Sequence, residues 1–324
     1  MERRPLGRSS VSATVISFGA WAIGSQWGPQ DDEESVRALH AALDHGIGFI
    51  DTAQAYGDGR SERLVARVFH ERRARVPVAT KIPPRTGIWA PPPGTPIEEA
   101  YPPEYITERC ERSLRDLETD TIDLLQFHTW LEDWNRTDAW YETMDRLRRT
   151  GKIRAIGISV SDGRPDEANA SIALGRVDTV QVVYNLLDQR AREHLFPTAR
   201  AYGTSILARV PLASGALTGK FGVDTVFPEG DWRRDFWTRD ILKRVTERVR
   251  RIQEIAGRDA PLVIRALQFA YAEDVVSSAI AGIRRAPQAR VNAEAATYPP
   301  LPREVLNHLY EEAAMPDPPP ASPG

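Results

Sequence analysis

Residues 49–62, FIDTAQAYGDGRSE, combine a strand, a loop and the start of a helix within fourteen positions. The apolar run ends at Asp51, Gly57 and Gly59 mark a turn, and the residues after the turn show helical apolar spacing. This is the βα unit of a parallel α/β protein, in which loops at the carboxyl ends of strands carry the chemistry. Asp51 and Tyr56 are therefore candidates for an acid–base site, although each alone is also compatible with a capping or packing role.

The composition is that of a globular protein. The chain has 324 residues, of which 41% are hydrophobic and 27% charged, and its formal net charge is −3. This balance offers no attraction to nucleic acid or an anionic membrane, so we predict neither as a partner. The single cysteine, Cys110, excludes an internal disulfide and a cysteine metal cluster, and we predict no metal. Without a signal-like or membrane-spanning apolar run, the expected location is cytoplasmic.

The strand–helix alternation continues along the chain. Apolar runs predict strands at residues 14–19, 47–51, 76–81, 122–128, 152–159, 179–184, 205–208 and 276–281. Because helical patterns separate these strands, we predict one (β/α)8 TIM barrel over residues 1–314, with a short N-terminal hairpin and extra C-terminal helices. An open doubly wound sheet is the alternative, disfavoured because no Gly-x-Gly-x-x-Gly motif follows an early strand. Residues 315–324 contain five prolines and predict a disordered tail.

Three irregular segments, at residues 21–30, 83–103 and 223–238, are expected to fold over the mouth of the barrel. Residues 83–103 contain eight prolines together with apolar side chains, which favours a lid or a pocket wall over a plain linker. Four tryptophans in or beside such loops are predicted to line the substrate pocket, with loop packing as the alternative for each. They are Trp21, Trp27, Trp89 and Trp130.

Polar residues stand where the second, third and fourth predicted strands end. These residues are Asp51 with Tyr56, then Lys81, then His128, and the ends of neighbouring barrel strands meet at one mouth. A lysine that closes an apolar strand needs a counter-ion, for which Asp51 is placed. A nearby ammonium is expected to lower the pKa of Tyr56, and His128 is placed to donate to a carbonyl oxygen. The set predicts carbonyl reduction, with hydride delivered to carbon and a proton from Tyr56 to oxygen.

The motifs around these residues resemble those of the aldo-keto reductases, and the resemblance runs from residue 3 to about residue 296. It includes D-T-A-x-x-Y-G from Asp51, A-T-K ending at Lys81 and D-L-L-Q-F-H ending at His128. Later matching segments are G-I-S at 157–159, V-Q-V-V-Y-N at 180–185, P-L-A-S-G-A-L-T-G-K at 211–220 and residues 282–292. The sequence Arg-Val-Pro-Leu-Ala-Ser-Gly after the seventh strand is similar to that of one subset of the family.

The resemblance implies a role for each matching position. Tyr56 would be the proton donor, Lys81 and Asp51 the pair that tunes it, and His128 the residue that orients the carbonyl. NADP(H) would lie across the barrel mouth, with its carboxamide on Ser159 and Gln181 of the fifth and sixth predicted strands, its pyrophosphate on residues 212–220 and its adenosine on residues 282–292. The implied cofactor-binding residues are Ser159, Gln181, Arg209, Leu212, Ser214, Gly215, Leu217, Lys220, Gly282, Arg284, Gln288 and Asn292.

The sequence departs from the family pattern at three places. Val160 stands where many members have an asparagine, so one hydrogen bond to the carboxamide is expected to be absent. Arg209 stands where many members stack an aromatic ring on the nicotinamide, and a planar guanidinium can stack there instead. The usual Lys-Ser pair after the last strand is also absent, and Arg284 with Arg285 is the basis for expecting NADP(H) rather than NAD(H).

The expected function is an NADP-dependent aldo-keto reductase of the alcohol dehydrogenase or carbonyl reductase type. It would reduce an aldehyde or ketone to an alcohol, or run the reverse reaction on a sugar or polyol. The alternative is a cofactor-binding regulatory subunit with little turnover, in which bound NADP(H) reports redox state to a partner. The sequence pattern carries no information on the oligomeric state.

Overall fold

The computed structural model describes residues 1–24 and 27–319, and its centre is a closed parallel barrel. Two short strands, β1 (Arg3–Pro5) and β2 (Ser12–Thr14), form an antiparallel hairpin ahead of it. The barrel strands are β3 (Ile16–Gly19), β4 (Ile50–Asp51), β5 (Val78–Ile82), β6 (Ile122–Phe127), β7 (Ile153–Ser159), β8 (Thr179–Val183), β9 (Ser205–Arg209) and β10 (Val276–Gly282). They pair in chain order, and β10 closes on β3. The predicted (β/α)8 barrel and its N-terminal hairpin are confirmed.

Helices surround the barrel. They are α1 (Trp21–Gly24), α2 (Asp32–Asp44), α3 (Arg60–Arg72), α4 (Ile97–Ala100), α5 (Pro103–Asp116), α6 (Ala139–Arg149), α7 (Asn169–Ala173), α8 (Leu195–Tyr202), α9 (Arg233–Phe236), α10 (Arg239–Ala256), α11 (Leu262–Ala270), α12 (Ala286–Glu294) and α13 (Arg303–Glu312). Short 3-10 turns cover Glu132–Arg136, Pro165–Ala168, Arg190–Arg192 and Ala213–Thr218. No helix in the described part of the chain combines the length and apolar character needed to cross a membrane.

The structure differs from the sequence predictions mainly in short segments. One predicted strand at residues 14–19 divides, because Ser12–Thr14 pairs in the hairpin and Ile16–Gly19 in the barrel. The one-turn helices α1 and α4 lie inside segments predicted as loops, since four residues are too few to show a helical period. The tail prediction falls partly on residues 320–324, which lie outside the described residues. Of the tail residues described, Met315 donates its backbone N–H to the Leu187 carbonyl at 2.9 Å.

The hairpin seals the amino-terminal end of the barrel. Leu6, in its turn, is fully buried and belongs to an apolar cluster inside the barrel. The other members are Val11, Ala13, Phe49, Ala79, Leu124, Ala155, Leu207 and Ile280. A much larger apolar core lies between the strands and the helices. Apolar packing thus fills one end of the barrel interior, and Asp51 and Lys81 lie at strand ends, at the opposite, carboxyl-terminal mouth.

Glu62 is an acidic residue buried outside the mouth. Glu62, in the first turn of α3, is fully buried, and its Oε1 accepts a hydrogen bond from the Thr80 hydroxyl at 2.6 Å. Its Oε2 is buried and has no hydrogen-bond partner among the residues the structure describes. Burial raises the pKa of Glu62 to about 7 from an ordinary 4.5, although the Thr80 and Ser113 hydroxyls oppose this shift. Ionising Glu62 therefore requires more free energy in the folded state than in the unfolded chain.

We expect Glu62→Gln to remove a pH dependence of stability. In the wild type, the free energy of unfolding should fall as the pH rises from about 4.5 to about 7, because the folded state still holds a proton that the unfolded state has released. The shift corresponds to about 3 kcal/mol, so the variant should gain roughly that much relative to wild type at pH 8 and little at pH 4.5. Urea unfolding across this range measures it. Glu247→Gln, at an exposed position of α10, is the control, and parallel pH curves for wild type and Glu62→Gln would contradict the assignment.

Candidate active site

The ends of β4 and β5 bring a charged pair together at the barrel mouth. Asp51 is the last residue of β4, and Lys81 lies near the end of the adjacent β5. The Lys81 ammonium donates to Asp51 Oδ2 at 2.7 Å and to the Thr52 carbonyl at 2.7 Å. Its Nζ also lies 3.4 Å from the Tyr56 hydroxyl oxygen, so its three N–H groups have three acceptors. The sequence prediction that Asp51 would be the counter-ion of Lys81 agrees with this geometry.

Lys81 stays charged despite its complete burial. Burial alone lowers the pKa of Lys81, but the Asp51 carboxylate and the Tyr56 oxygen beside it raise the pKa above its ordinary 10.5. The Lys81 side chain has no exposed area, and that of Asp51 has 4%. The pair is therefore a buried ammonium–carboxylate contact, held by hydrogen bonds on both sides.

The pKa of Tyr56 differs from the sequence prediction. Burial raises the pKa of Tyr56 above its ordinary 10.0, although Lys81 and, more weakly, Arg209 lower it. The predicted effect of Lys81 is present with the expected sign, but desolvation of the phenol outweighs it. The prediction of a lowered pKa was therefore wrong for this structure. Tyr56 is a neutral phenol that carries a proton over the physiological pH range.

His128 follows β6 and faces Tyr56 across the mouth. The two ring centroids are 5.6 Å apart in an edge-on arrangement. Burial lowers the pKa of His128 well below its ordinary 6.5, and the charges of Lys81 and Arg209 act in the same direction. The imidazole is therefore neutral, with one N–H to donate. Its Nδ1 is buried without a hydrogen-bond partner among the described residues.

Aromatic side chains form the walls around Tyr56 and His128. The Trp89 ring contacts His128 with centroids 4.8 Å apart, and Trp21 lies 6.4 Å from Tyr56 at an interplanar angle of 26°. Trp232 stacks on Trp21 at 5.8 Å. Trp27 contacts both of these tryptophans edge-on, at 5.2 Å from Trp21 and 5.6 Å from Trp232. Three of the four predicted tryptophans thus lie at the mouth, and Trp232 joins them from a segment without any periodic signal.

Trp130 lies elsewhere. Its ring is fully buried, and it packs against Phe127 at 5.5 Å, Trp134 at 5.4 Å and Trp140 at 4.8 Å. These contacts belong to the core beneath the proline-rich segment, so the loop-packing alternative describes Trp130. The segment itself is tied to the mouth, because the Thr129 hydroxyl donates to the Trp89 carbonyl at 2.8 Å. Residues 83–103 thus form a wall of the site.

A glycine allows α1 to approach the turn that carries Tyr56. A Cβ built at Gly24 would lie 2.6 Å from Tyr56 Cβ and 2.8 Å from its carbonyl oxygen, closer than real Cβ contacts allow. Gly57, the residue after Tyr56, has a φ of +68°. A Cβ added at Gly57 would lie 2.5 Å from the Gly24 carbonyl oxygen. Glycine at both positions lets Trp21 lie against Tyr56. The close approach explains Gly24, for which the sequence offered no specific signal.

Of the predicted carboxamide residues, Ser159 ends β7 and Gln181 lies in the middle of β8. Ser159 and Gln181 are register partners and are both almost fully buried. The side-chain amide of Gln181 donates to Asp51 Oδ1 at 2.8 Å, a contact that sequence analysis did not predict. Gln181 therefore points into the barrel and contacts the charged pair, and Ser159 is its neighbour on β7.

Arg209 ends β9 and is held by the loop that follows β7. Its Nη2 donates to the Val160 carbonyl at 3.2 Å and forms an ion pair with the Asp162 carboxylate. The Arg209 side chain is 17% exposed, and its Nε is buried without a partner in the described part of the chain. The guanidinium, itself a departure from the family pattern, is thus fixed beside Val160, which is a second departure.

The loop after β9 has an unusual backbone. Ala213, Ser214 and Gly215 have positive φ angles of 46°, 53° and 103°. Successive residues of this kind can turn backbone N–H groups into an anion-binding concavity. Arg233, which follows Trp232, donates to the Ser214 carbonyl at 3.3 Å and lies over the Trp27 ring at 4.6 Å. Its side chain is only 16% exposed.

The other predicted residues of this loop differ in exposure. Leu217 is fully buried in the core, Leu212 is half-buried, and Lys220 is exposed. Leu217 therefore supports the loop through packing, whereas Lys220 is free to contact a phosphate at the surface.

The segment after β10 carries the predicted adenosine residues. Gly282 ends the strand and is exposed. Arg284 donates from Nε to Gln30 Oε1 at 3.0 Å and from Nη2 to the Pro29 carbonyl at 2.9 Å. The Gln288 amide oxygen accepts from the backbone N–H groups of residues 284 and 285, at 2.8 and 3.0 Å, and so caps α12. Asn292 is buried, and its Nδ2 has no partner among the described residues, which leaves a donor for a ligand.

These residues fit an extended anionic cofactor. The loop with positive φ angles, the unpaired Asn292 amide and the Arg284 cation follow one another around the same mouth that holds Tyr56 and Lys81. The fold and the four polar residues at the strand ends define a (β/α)8-barrel protein with a candidate acid–base site beside a candidate nucleotide groove. The Aldo/keto reductase family matches residues 15–312, and the chain belongs to this family of oxidoreductases, whose members use nicotinamide cofactors.

Known proteins support the assignment. The chain is 36% identical over 235 residues to aldo-keto reductase YhdN of Bacillus subtilis (strain 168), covering 71% of this chain and 68% of that protein. It is 28% identical over 312 residues to the NADH-specific methylglyoxal reductase of Escherichia coli (strain K12), covering 91% and 93%. The structure of the glycerol dehydrogenase AKR11B4 from Gluconobacter oxydans superposes with a TM-score of 0.77 at 28% identity, covering 96% and 97%.

Proposed function

We propose that this protein is an NADP(H)-dependent oxidoreductase that reduces an aldehyde or ketone to an alcohol, or oxidises an alcohol in reverse. The observation that carries the proposal is the arrangement around Lys81. Two of its N–H groups are held by Asp51 Oδ2 and the Thr52 carbonyl, and the third lies toward the Tyr56 oxygen at 3.4 Å. Since Tyr56 accepts from Lys81, its own O–H remains for a substrate oxygen.

In the proposed reaction Tyr56 and His128 together receive the carbonyl oxygen. Both are neutral donors, because burial raises the pKa of Tyr56 and lowers the pKa of His128. A bound nicotinamide supplies the hydride to the carbonyl carbon. Tyr56 then gives its proton to the developing alkoxide, and the Lys81 ammonium stabilises the phenolate that is left. For alcohol oxidation the same phenolate accepts the proton.

The walls favour a substrate with an apolar face. Trp21, Trp89 and Trp232 present aromatic surface beside the two donors. The relatives' names, a methylglyoxal reductase and a glycerol dehydrogenase, indicate that proteins of similar sequence and fold act in both reaction directions. We therefore infer a small uncharged carbonyl compound, or the corresponding alcohol, as the substrate class.

The test is turnover. Purified protein should oxidise NADPH in the presence of one or more members of an aldehyde and ketone panel, and reduce NADP+ with matching alcohols or polyols. The alternative, a regulatory subunit, makes a different prediction. In that case NADPH would bind tightly, measured by tryptophan fluorescence, while every substrate in both directions was turned over slowly or not at all.

The cofactor preference is expected to depend on Arg284. Its hydrogen bonds go to neutral acceptors, Gln30 and Pro29, and no carboxylate of the described residues forms an ion pair with it, so its charge remains for a 2′-phosphate. We expect Arg284→Gln to weaken NADPH binding by about 10- to 100-fold, the effect of losing a charged hydrogen bond, and to leave NADH binding nearly unchanged. Fluorescence titration with both nucleotides measures this.

The neighbouring arginine provides a matched control. Arg285 pairs with Glu34 at 3.2 Å and is exposed, so Arg285→Gln should change the NADPH to NADH ratio much less. If both substitutions lower NADPH affinity equally, the effect is one of general charge and not of Arg284. An unchanged ratio in Arg284→Gln would remove the basis for proposing NADP(H).

A further inference from the structure

Gln181 joins the proposed cofactor site to the charged pair beneath Tyr56. It lies on β8, whereas Asp51 lies on β4, and the two residues are 130 positions apart in the chain. Gln181 Nε2 donates to Asp51 Oδ1 at 2.8 Å, and both side chains are almost fully buried. Because a carboxylate oxygen can only accept, the amide group that faces Asp51 is the NH2, and the amide oxygen of Gln181 remains available.

Asp51 is thereby held at both oxygens. Oδ1 accepts from Gln181, and Oδ2 accepts from the Lys81 ammonium at 2.7 Å. Lys81 in turn places Nζ 3.4 Å from the Tyr56 oxygen, the longest of its three contacts. The four residues form one continuous chain of contacts from β8 to the proposed proton donor. The last link is the one most easily lost when the others shift.

We propose that Gln181, besides the carboxamide contact of its amide oxygen that the family resemblance implies, is a positioning residue for Tyr56 that acts through Asp51 and Lys81. The inference rests on the proposed function and deepens it, since it connects cofactor binding to the placement of the proton donor. Gln181 keeps Asp51 oriented so that only Oδ2 faces Lys81. Without this donor, Oδ1 is a buried acceptor with no partner, and the carboxylate turns to bring both oxygens toward the ammonium. The ammonium then moves away from the Tyr56 oxygen.

The variant Gln181→Glu separates this role from a simple cofactor contact. An ionised carboxylate at position 181 still accepts from the carboxamide, but it no longer donates to Asp51 and repels it instead. A protonated carboxyl donates to Asp51 and restores the chain of contacts. Lys81 contacts Asp51, and the charged and titratable groups around the contacts of Asp51 with Lys81 and of Lys81 with Tyr56 also include His128 and Arg209. The like-charge contact with Asp51 raises the pKa of the introduced carboxyl, so its ionisation falls within a measurable pH range.

We expect the kcat of Gln181→Glu, at saturating NADPH, to fall by about tenfold or more between pH 5 and pH 8 relative to wild type. The Kd for NADPH should change little over the same range, because the acceptor is kept. Ser159→Ala is the matched control, since Ser159 is the register partner of Gln181 and is also expected at the carboxamide. That variant should weaken NADPH binding without altering the shape of the kcat–pH profile. A profile of Gln181→Glu parallel to that of wild type, with weakened NADPH binding, would overturn the proposal.

A measurement on the protein without cofactor tests the contact independently of catalysis. The Tm of Gln181→Glu should fall more steeply than that of wild type as the pH rises, and adding Asp51→Asn should remove the excess slope. If the excess slope is absent, Gln181 does not act on Asp51. If the slope is present but the wild type neither turns over substrate nor binds nicotinamide, the proposed function has failed while the contact stands. If Gln181→Glu does not fold, Gln181→Leu replaces it in the test. We expect Gln181→Leu and Ser159→Ala to have similar Kd values for NADPH, and Gln181→Leu to have a much lower kcat. Equal kcat values in these two variants would refute the positioning role.

Discussion

Replacing Tyr56 with phenylalanine should lower kcat by about 10²- to 10⁴-fold, the usual contribution of a positioned general acid. The substitution removes the hydroxyl whose transferable proton lies beside an ammonium, with Lys81 Nζ 3.4 Å from the phenolic oxygen. The phenyl ring keeps the packing against Trp21 and His128, so the mouth retains its shape. NADPH affinity, measured by fluorescence titration, is expected to stay within about threefold of wild type, since no charge or cofactor contact is removed.

Two comparisons make this prediction specific. Tyr202→Phe removes the hydroxyl of an exposed tyrosine at the end of α8, and we expect wild-type turnover from it. Full activity of Tyr56→Phe would refute the mechanism, because no other described residue combines a neutral hydroxyl with the Lys81 contact. Loss of both NADPH binding and turnover would show instead that the substitution disturbs the cofactor site.

Replacing Lys81 with methionine should affect both stability and turnover. The Asp51 carboxylate would be left buried, with its side chain 4% exposed and its ammonium partner gone. Removing one partner of a buried ion pair costs about 3–5 kcal/mol of unfolding free energy, because the remaining charge is uncompensated. Urea unfolding at neutral pH measures the loss. Turnover should fall as well, because the phenolate of Tyr56 would lose its stabilising charge.

The double variant separates these two effects. Asp51→Asn combined with Lys81→Met removes both charges while the Asn side chain can still accept from Gln181, so most of the lost stability should return. Activity should not return, since the ammonium beside Tyr56 is still missing. A double variant as unstable as Lys81→Met would mean that packing or the Thr52 hydrogen bond, and not the unpaired Asp51 charge, accounts for the loss.

The meeting of the four polar residues was predictable from sequence because strand ends in a parallel barrel share one mouth. Asp51, Lys81 and His128 each follow or close an apolar run, so their meeting place was predictable from the topology. Tyr56 comes from a turn marked by glycines directly after β4. For these four residues the order of elements along the chain carries nearly all of the spatial information.

The pKa of Tyr56 shows where such reasoning ends. A pattern of residues indicates that an ammonium stands near a phenol, and so it predicts the sign of one contribution. The larger contribution, the loss of hydration when aromatic rings surround the phenol, depends on how the mouth loops fold. Segments without periodicity carry no such signal, and Trp232, which completes the wall, comes from one of them.

Side-chain contacts across the barrel also could not be predicted from the sequence. Gln181 reaches Asp51 because β8 and β4 face each other across the interior, and Arg233 is drawn over Trp27 by the fold of two irregular segments. For Trp130, the position beside a mouth loop in the sequence predicted a pocket residue. In the structure its ring is instead packed in the core. Each depends on distances between residues far apart in sequence.

The local sequence pattern by itself therefore determined the barrel, its hairpin and the position of the four polar residues at the mouth. This is because the hydrophobic period, the ends of strands and the glycines of turns are all properties of residues that are neighbours in the sequence. Only the tertiary structure decided the burial of those residues and their protonation. It also decided the hydrogen bond from Gln181 and the aromatic walls. These features arise from the removal of water and from the close approach of side chains that belong to different βα units, and both exist only once the barrel has closed.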